Sequence, residues 1–403
     1  MQLRTPMRVR TRIPPRAPIP PVATQSSDTM PPVATQSSAA MQASDTMPPG
    51  VATQPTLTRR GLLASSVAAG AIALLSTPHI ARAQAKTLIV TCYGGAYEKL
   101  FREQLIPTFE KETGATVRLV LGLAKDNIPL LRAAGIDNPP LDVCMTNEVI
   151  AEILRTEGYF TALPEDKVTN LKDVAPIARY PGDMAVTGML QPVGIAYRTD
   201  TVSDPVTSWK GLFERPDLKG QIGMYNITNS LGFMFVLMMA RIYGGSETAY
   251  DAAFKQIQTL KPFSQVDFSG TMEIQLTRGE VDVAPLDFAA VMRLQRQGVP
   301  VDAKVPSEGM VAFDQVFNVT KGSKSKDLAF AWVDYFLRPE TQQKLVNGFF
   351  ISPTNLKTVI PPELATSPIM ITGDRLQRVV RHDWATANRQ RDKIVEQWNR
   401  LMT

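Results

Sequence analysis

From Thr87 onward the chain alternates between two hydrophobic periods, and this alternation limits the fold more than any single motif does. "TLIVTC", Thr87 to Cys92, is a short run rich in β-branched residues, the composition of a strand. Gly94-Gly95 leads into "AYEKLFREQLIPTFEKETG", where Phe101, Leu105 and Phe109 recur every four residues and mark one face of a helix. Pro107 should kink or restart that helix, and Gly114 should close it. "TVRLVLG" reads as the next strand, "IPLLRAAG" as a helix and "LDVCMT" as a third strand. Strand, helix and strand at this spacing predict a parallel, doubly wound α/β sheet.

The same grammar returns later. Thr271 to Arg278 reads as a helix closed by Gly279, "VDVA" as a strand, Ala289 to Gln297 as a helix closed by Gly298, and "VPVDAKV" as a strand. "DLAFAWVDYFL" carries Leu328, Ala331, Trp332, Tyr335 and Phe336 on one helical face, and Pro339 suits the first turn of the next helix. "FMFVLMMA", Phe233 to Ala240, is apolar but too short to span a bilayer, so a buried helix is expected. Gln84 to Thr403 is 320 residues, enough for two lobes. No long linker separates the units, so the lobes should be joined by short crossings.

The first 83 residues differ in kind. Residues 1–57 repeat "PPVATQSS" from Pro20 and Pro31, with a degenerate copy from Pro48, and lack apolar periodicity. Such a Pro-, Ser- and Thr-rich tract cannot bury enough surface to offset chain entropy and is expected to be disordered. Residues 58–83 begin "TRRGLL" with Arg59 and Arg60, continue through a weakly apolar run and end in Ala81-Arg82-Ala83. The arginine pair resembles the twin-arginine export address, and the small-x-small ending is the geometry of a cleaved signal, against the alternative of a permanent anchor. Because such a signal belongs near a chain start, translation from an internal methionine such as Met47 is expected; the alternative is an extension removed with the signal.

The leader also explains the charge. The chain has 43 basic and 38 acidic residues, but the first 83 hold eight arginines and two aspartates, which leaves 35 basic and 36 acidic for the rest. The basic balance is therefore no argument for nucleic-acid binding, which needs a clustered basic face on the folded part. Export places Cys92 and Cys144 in an oxidising compartment, where a single disulfide between them is open. His382 is the only histidine after the leader, so a zinc site or a Ser-His-Asp triad has little support, and no cofactor is expected. Gly94-Gly95 is not a dinucleotide fingerprint, and no phosphate-binding P-loop is present.

In open α/β sheets, ligands sit beyond the carboxyl ends of strands. Here those ends are Cys92-Tyr93-Gly94, Thr146-Asn147-Glu148, Tyr225-Asn226 and Leu286-Asp287. Glycine lets the backbone approach a ligand closely. Each residue also has an ordinary reading. Asp287 could cap a helix, Glu148 could be a solvated helix start, and Tyr93 and Tyr97 could be half-buried aromatics. Trp209 is assigned to packing.

Four segments in order carry a family resemblance: "YGGAYEKLFREQLIPTFEKETGATV", "SWKGLFERPDLKGQIG", "GEVDVAPLDFAAVMRLQRQGVPVDAKVPSEG" and "AFAWVDYFLRPETQQKLVNGFFISPTN". They resemble the periplasmic solute-binding proteins of ATP-binding-cassette importers, and among them the spermidine/putrescine-type group. The resemblance implies an α/β two-lobed periplasmic binding protein fold (type II), with mixed, mostly parallel sheets and a hinge cleft. Lobe 1 would span 84–192, lobe 2 193–310, and 311–403 would return to lobe 1 and add C-terminal helices. "QPVGIAYRTD" resembles the first crossing and "EGMVAFDQVFNV" the return. A monomer would close on a small solute by hinge motion and offer it to a membrane permease.

The resemblance also adds Asp314, which matches a ligand-binding aspartate of the polyamine group, and it supports Asp287 after the "VDVAP" strand. A polyamine needs spaced carboxylates and aromatic walls, each cation–π contact contributing roughly 0.5–2 kcal/mol. Tyr93, Tyr97 and Tyr225 are candidate walls. Two departures stand out. Ala312 occupies the place of the group's tryptophan, and Asn226, Asn229 and Ser230 stand where the group has acids. Fewer acids suit a less cationic solute, such as a monoamine, an amino acid or an opine-like compound. The paired tyrosines of iron-binding relatives are absent, and Phe349-Phe350 cannot ligate a hard cation. Two rival roles remain: a thiaminase-like enzyme using Cys92 or Cys144 with Asp287, and a ligand-sensing subunit docking on a receptor.

Overall fold

The computed structural model describes residues 86–402. The expected extension at 1–57 and export signal at 58–83 lie outside the described residues. β1 (Thr87–Cys92) pairs in parallel with β2 (Thr116–Leu121) and with β3 (Val143–Thr146). Between β1 and β2 run α1 (Ala96–Leu100), a π-helical turn (Phe101–Leu105) and α2 (Ile106–Thr113). Phe101, Leu105 and Phe109 are buried, as their spacing predicts. Pro107 lies in the first turn of α2, directly after the π-helical turn, and Gly114 ends α2 at φ 67°. α3 (Asn127–Ala134) links β2 to β3. α4 (Glu148–Thr156) follows β3, and the short β4 (Phe160–Thr161) ends this part.

β5 (Val186–Arg198) is the first crossing, thirteen residues long and buried up to its last residue. The lobe boundary expected between 192 and 193 thus falls inside an unbroken strand. Beyond it come β6 (Gly223–Tyr225), α5 (Ser230–Gly244), α6 (Tyr250–Thr259), β7 (Ser264–Val266), α7 (Ser269–Arg278), β8 (Val283–Asp287), α8 (Phe288–Arg296) and β9 (Val301–Lys304). β10 (Val311–Thr320) returns beside β5, antiparallel to it. α5 contains the expected apolar run, and every residue from Leu231 to Ala240 is buried. No helix among the described residues is long and apolar enough to cross a membrane.

The main sheet has eight strands in the order β2-β1-β3-β10-β5-β8, with β4 on β10 and β9 on β5. The expected mixture of strand senses is present, but its parallel share is smaller than expected. Among the named strands, parallel pairing is confined to β1 with β2 and β3, and to β6 with β7. β5 and β10 run antiparallel to every strand they meet. Two long strands crossing in opposite directions impose that sense on their neighbours in both lobes.

The crossing leaves no room at Gly194. A Cβ there would lie 2.4 Å from the Lys304 carbonyl oxygen and 2.5 Å from the Phe288 ring. Gly194→Ala should destabilise the protein by about 2 kcal/mol, because a backbone carbonyl cannot yield as a flexible side chain can. A urea midpoint within error of wild type would contradict this.

α9 (Lys326–Leu337) and α10 (Pro339–Phe349) cover the first lobe. Trp332 is fully buried against Phe101, Phe109, Tyr335 and Phe336. α11 (Pro362–Ala365), α12 (Trp384–Arg389) and α13 (Arg391–Met402) complete the chain. This tail touches both lobes: Asn388 Nδ2 donates to the Val149 carbonyl of α4 at 3.0 Å, and Trp384 stacks on Phe233 of α5 at 6.0 Å. Trp209 is packing, as assigned: it is buried beside Phe235 and donates from Nε1 to the Gly309 carbonyl at 2.8 Å.

Cys92 and Cys144 are both buried and free, so the disulfide left open by the sequence is not formed. Pleating accounts for this. Val90 sits opposite Val143, and alternation then sends Cys92 into the core on one face of the sheet and Cys144 into the cluster on the other.

Candidate functional site

Asp314 is positioned by an irregularity in the β5–β10 ladder. It sits opposite Leu190, Gln315 opposite Met189, and Val316 opposite Thr187, so Gly188 is left without a partner. Such bulges re-aim neighbouring side chains. Asp314 is buried; its Oδ2 accepts from the Tyr180 hydroxyl at 2.8 Å, and its Oδ1 accepts from the Glu148 N–H at 3.1 Å. The second bond ties the return strand to the first turn of α4, where a carboxylate also meets the positive end of the helix. Burial raises the Asp314 pKa, and the Tyr180 hydrogen bond opposes the rise.

Asn147 caps α4 by accepting from the Ile150 N–H at 3.0 Å. Glu148 follows, its carboxyl pushed up to about 7 by burial and then by the like charge of Asp314, with Arg381 opposing. Arg381 Nη1 lies 3.9 Å from Glu148 Oε1. Its guanidinium stacks 4.5 Å from the Tyr180 ring, which also carries the Arg155 guanidinium at 4.5 Å. Asn147, Glu148, Asp314 and Arg381 line a cleft together with Ser230, Phe313 and His382. Asn147 and Glu148, at the end of β3, are thus brought beside Asp314, which lies within β10 and which only the family resemblance singles out.

Tyr93 joins the two halves of the site. Burial raises its hydroxyl pKa, with the Asp314 charge the next cause, and its ring meets Tyr97 edge-on at 5.5 Å. Tyr97 packs on Phe349 at 5.0 Å and donates to Gln191 Oε1 at 2.6 Å. Gln191 Nε2 in turn donates to Asp287 Oδ1 at 3.4 Å. The same Asp287 oxygen accepts from the Ala290 N–H at 2.8 Å, so Asp287 caps α8. Its pKa is raised by burial, with the Arg293 charge opposing. The ordinary reading of Asp287 is therefore realised. Gly94 is exposed, and nothing lies within 4 Å of where a Cβ would stand; Gly95, at φ 69°, is the glycine this turn requires.

Tyr225 and Asn226 are built into the wall rather than the opening. Tyr225 is buried edge-on to Phe313, and its hydroxyl lies beside Ser269 without reaching hydrogen-bond geometry. Asn226 Oδ1 accepts from both the N–H and the hydroxyl of Thr228 at 3.0 Å, so it shapes its own turn. Asn229 caps α5 by accepting from the Leu231 N–H at 2.8 Å. Of the neutral segment that replaces the polyamine group's acids, only Ser230 lines the cleft.

Sequence reasoning missed Tyr180, Gln191, Arg381 and His382 as site residues. Gln191 stands in the crossing, and alternation alone does not show that its side chain bridges Tyr97 and Asp287. Arg381 and His382 come from the tail, far from any strand end. His382 Nδ1 lies 2.9 Å from Glu247 Oε1, and its Nε2 is buried without a partner.

The thiols are poor nucleophiles. Burial pushes the Cys92 thiol up to about 12 and raises Cys144 as well, and a nucleophilic cysteine needs the opposite shift. Among the described residues, no group of three or more His, Cys, Asp or Glu could hold a metal ion.

Residues 104–372 match the family model of bacterial extracellular solute-binding proteins. The spermidine/putrescine-binding periplasmic protein of Escherichia coli is 22% identical over 275 residues, covering 65% of this chain and 77% of that protein. The putrescine-binding periplasmic protein PotF of the same organism is 25% identical over 323 residues, covering 72% of this chain and 84% of its own. The crystal structure of an ABC transporter from Clostridium perfringens superposes with a TM-score of 0.67 at 25% identity, over 78% of this chain and all of that one. A match over most of the folded part agrees with the cleft that β5 and β10 build, and the chain belongs to the bacterial extracellular solute-binding protein family.

Proposed function

We propose that this periplasmic solute-binding protein, as a monomer, closes its cleft on a small organic amine and delivers it to the membrane permease of an ABC importer. The observation that carries the reading is the pair of carboxyls, half-buried Glu148 and buried Asp314, facing the cleft beside the Trp384 ring, with the Tyr180 hydroxyl bonded to Asp314. Carboxylates hold ammonium groups by charge-assisted hydrogen bonds, and ring faces hold the attached methylenes. Tyr93 and Tyr97 extend the wall toward Gln191 and Asp287. Two relatives named for polyamines support the amine, while Ala312 and the spent Asn226 segment favour a solute with fewer charges.

Thermal unfolding against putrescine, spermidine, γ-aminobutyrate, common amino acids, opines, thiamine and ferric citrate tests this. At a hundredfold excess over Kd a true ligand adds about 2.7 kcal/mol and raises the midpoint by several degrees. A shift with an amine sustains the reading. Shifts confined to thiamine or ferric citrate would overturn it.

A further inference from the structure

We infer that the cleft selects a zwitterion, an α-amino carboxylate, with Arg381 taking the carboxylate and Glu148 with Asp314 taking the ammonium. The inference rests on the amine reading above and sharpens it.

The first argument is charge balance. A polyamine brings two or more ammonium groups and needs acids that no protein cation already opposes. Here each acid of the site has an arginine set against it. Arg381 opposes Glu148 and Asp314, and Arg293 opposes Asp287 while bonding Glu273 at 3.1 Å. A second ammonium would enter a cleft that already holds the Arg381 guanidinium, and a buried like charge without a partner is strongly unfavourable.

The second argument is unspent bonding capacity. Arg381 donates from Nη2 to the Ile177 carbonyl and lays one face on Tyr180. Its Nη1 stands 3.9 Å from Glu148, close enough for attraction but beyond hydrogen-bond reach. A guanidinium carries five donors in a fork that matches a carboxylate. His382, buried and lining the same cleft, has an Nε2 with no partner. A cation and an anion side by side, but not bonded, complement a solute whose own opposite charges share one carbon. Leu190, Met234, Phe313 and Val379 line the rest of the cleft and leave an apolar place for the side chain.

The tail holds Arg381 from both sides. The preceding Val380 donates its N–H to the Met310 carbonyl at 2.7 Å, and the following His382 is fixed by Glu247. The guanidinium is therefore presented by a braced backbone rather than by a free loop.

Matched five-carbon probes test the inference by titration calorimetry: norvaline, δ-aminovalerate, pentylamine, pentanoate and cadaverine. Norvaline should bind at least about tenfold more tightly than cadaverine. Arg381→Gln should cut norvaline affinity by at least about tenfold and leave pentylamine unchanged or tighter, with Arg381→Lys between wild type and Gln for norvaline because it keeps the charge but loses the fork. Tightest binding of cadaverine or pentylamine would overturn the zwitterion and leave the amine reading standing. A preference for δ-aminovalerate would overturn the single-carbon head group. Equal losses for all probes in Arg381→Gln would make Arg381 a structural brace and sink its assignment. Binding of pentanoate alone, or of no probe, would overturn the amine reading together with the inference.

Discussion

Asp314→Ala should lower both stability and solute affinity. In the folded protein its carboxylate satisfies the buried Tyr180 hydroxyl and the Glu148 N–H at the start of α4. Removing it leaves two donors without a partner, each costing about 1–3 kcal/mol, so a loss of about 3 kcal/mol is expected, somewhat offset by relief of a buried charge. Solute affinity should fall by at least about 1.5 kcal/mol if the carboxylate meets an ammonium. Asp314→Asn separates the two roles, because its amide oxygen can still accept one of the two bonds while the charge is gone. Stability largely restored in Asn with affinity still lost is the expected pattern. A urea midpoint unchanged in Ala would show that the Tyr180 and Glu148 bonds contribute nothing net, and unchanged affinity would remove Asp314 from the site.

Glu148 should make both stability and binding depend on pH, in opposite directions. Its ordinary value is 4.5, and in the folded protein it is pushed up to about 7. Between these values the folded chain holds a proton that the unfolded chain has released. Stability therefore falls as pH rises from about 4.5 to about 7 and is level above that. The loss is on the order of 3 kcal/mol for this one carboxyl. Glu148→Gln removes the titration, so the difference between its stability profile and that of wild type isolates this group. An ammonium solute favours the ionised carboxylate, so affinity should rise toward pH 7 and binding near pH 6 should release protons. Calorimetry in two buffers of different ionisation heat reads that release directly. Parallel profiles for wild type and Glu148→Gln, with no proton release, would refute the account. Asp314 links the two predictions: removing its charge takes away one cause of the raised Glu148 pKa, so the slope should shrink in Asp314→Ala.

Much of the fold is legible because local physics decides it. The four-residue spacing of Phe101, Leu105 and Phe109 needs only an apolar helix face, and all three are buried. Gly114, Gly279 and Gly298 end helical segments where the sequence placed the stops, each at positive φ. "TLIVTC" forms β1 from Thr87 to Cys92. The strand end after β3 carries Asn147 and Glu148 to the cleft, because the βα connection of a sheet puts them there.

What sequence could not supply depends on long-range geometry. The sense of β5 and β10 relative to their neighbours is set by the crossing, not by their alternation. Asp287 looks the same in sequence whether its carboxylate caps a helix or faces a solute; here it caps α8. Tyr225 and Asn226 follow a strand like the other candidates, yet a three-residue β6 and a self-closing turn hold them in the wall. Arg381 shows no periodic signal at all, and only the tail's passage over both lobes sets it beside Glu148. By itself, then, the sequence determined the α/β alternation, the helix stops and the family, because spacing and turn chemistry act over a few residues. The tertiary structure alone decided which charges meet in the cleft, because Glu148, Asp314 and Arg381 are far apart in the chain and are brought together only by packing.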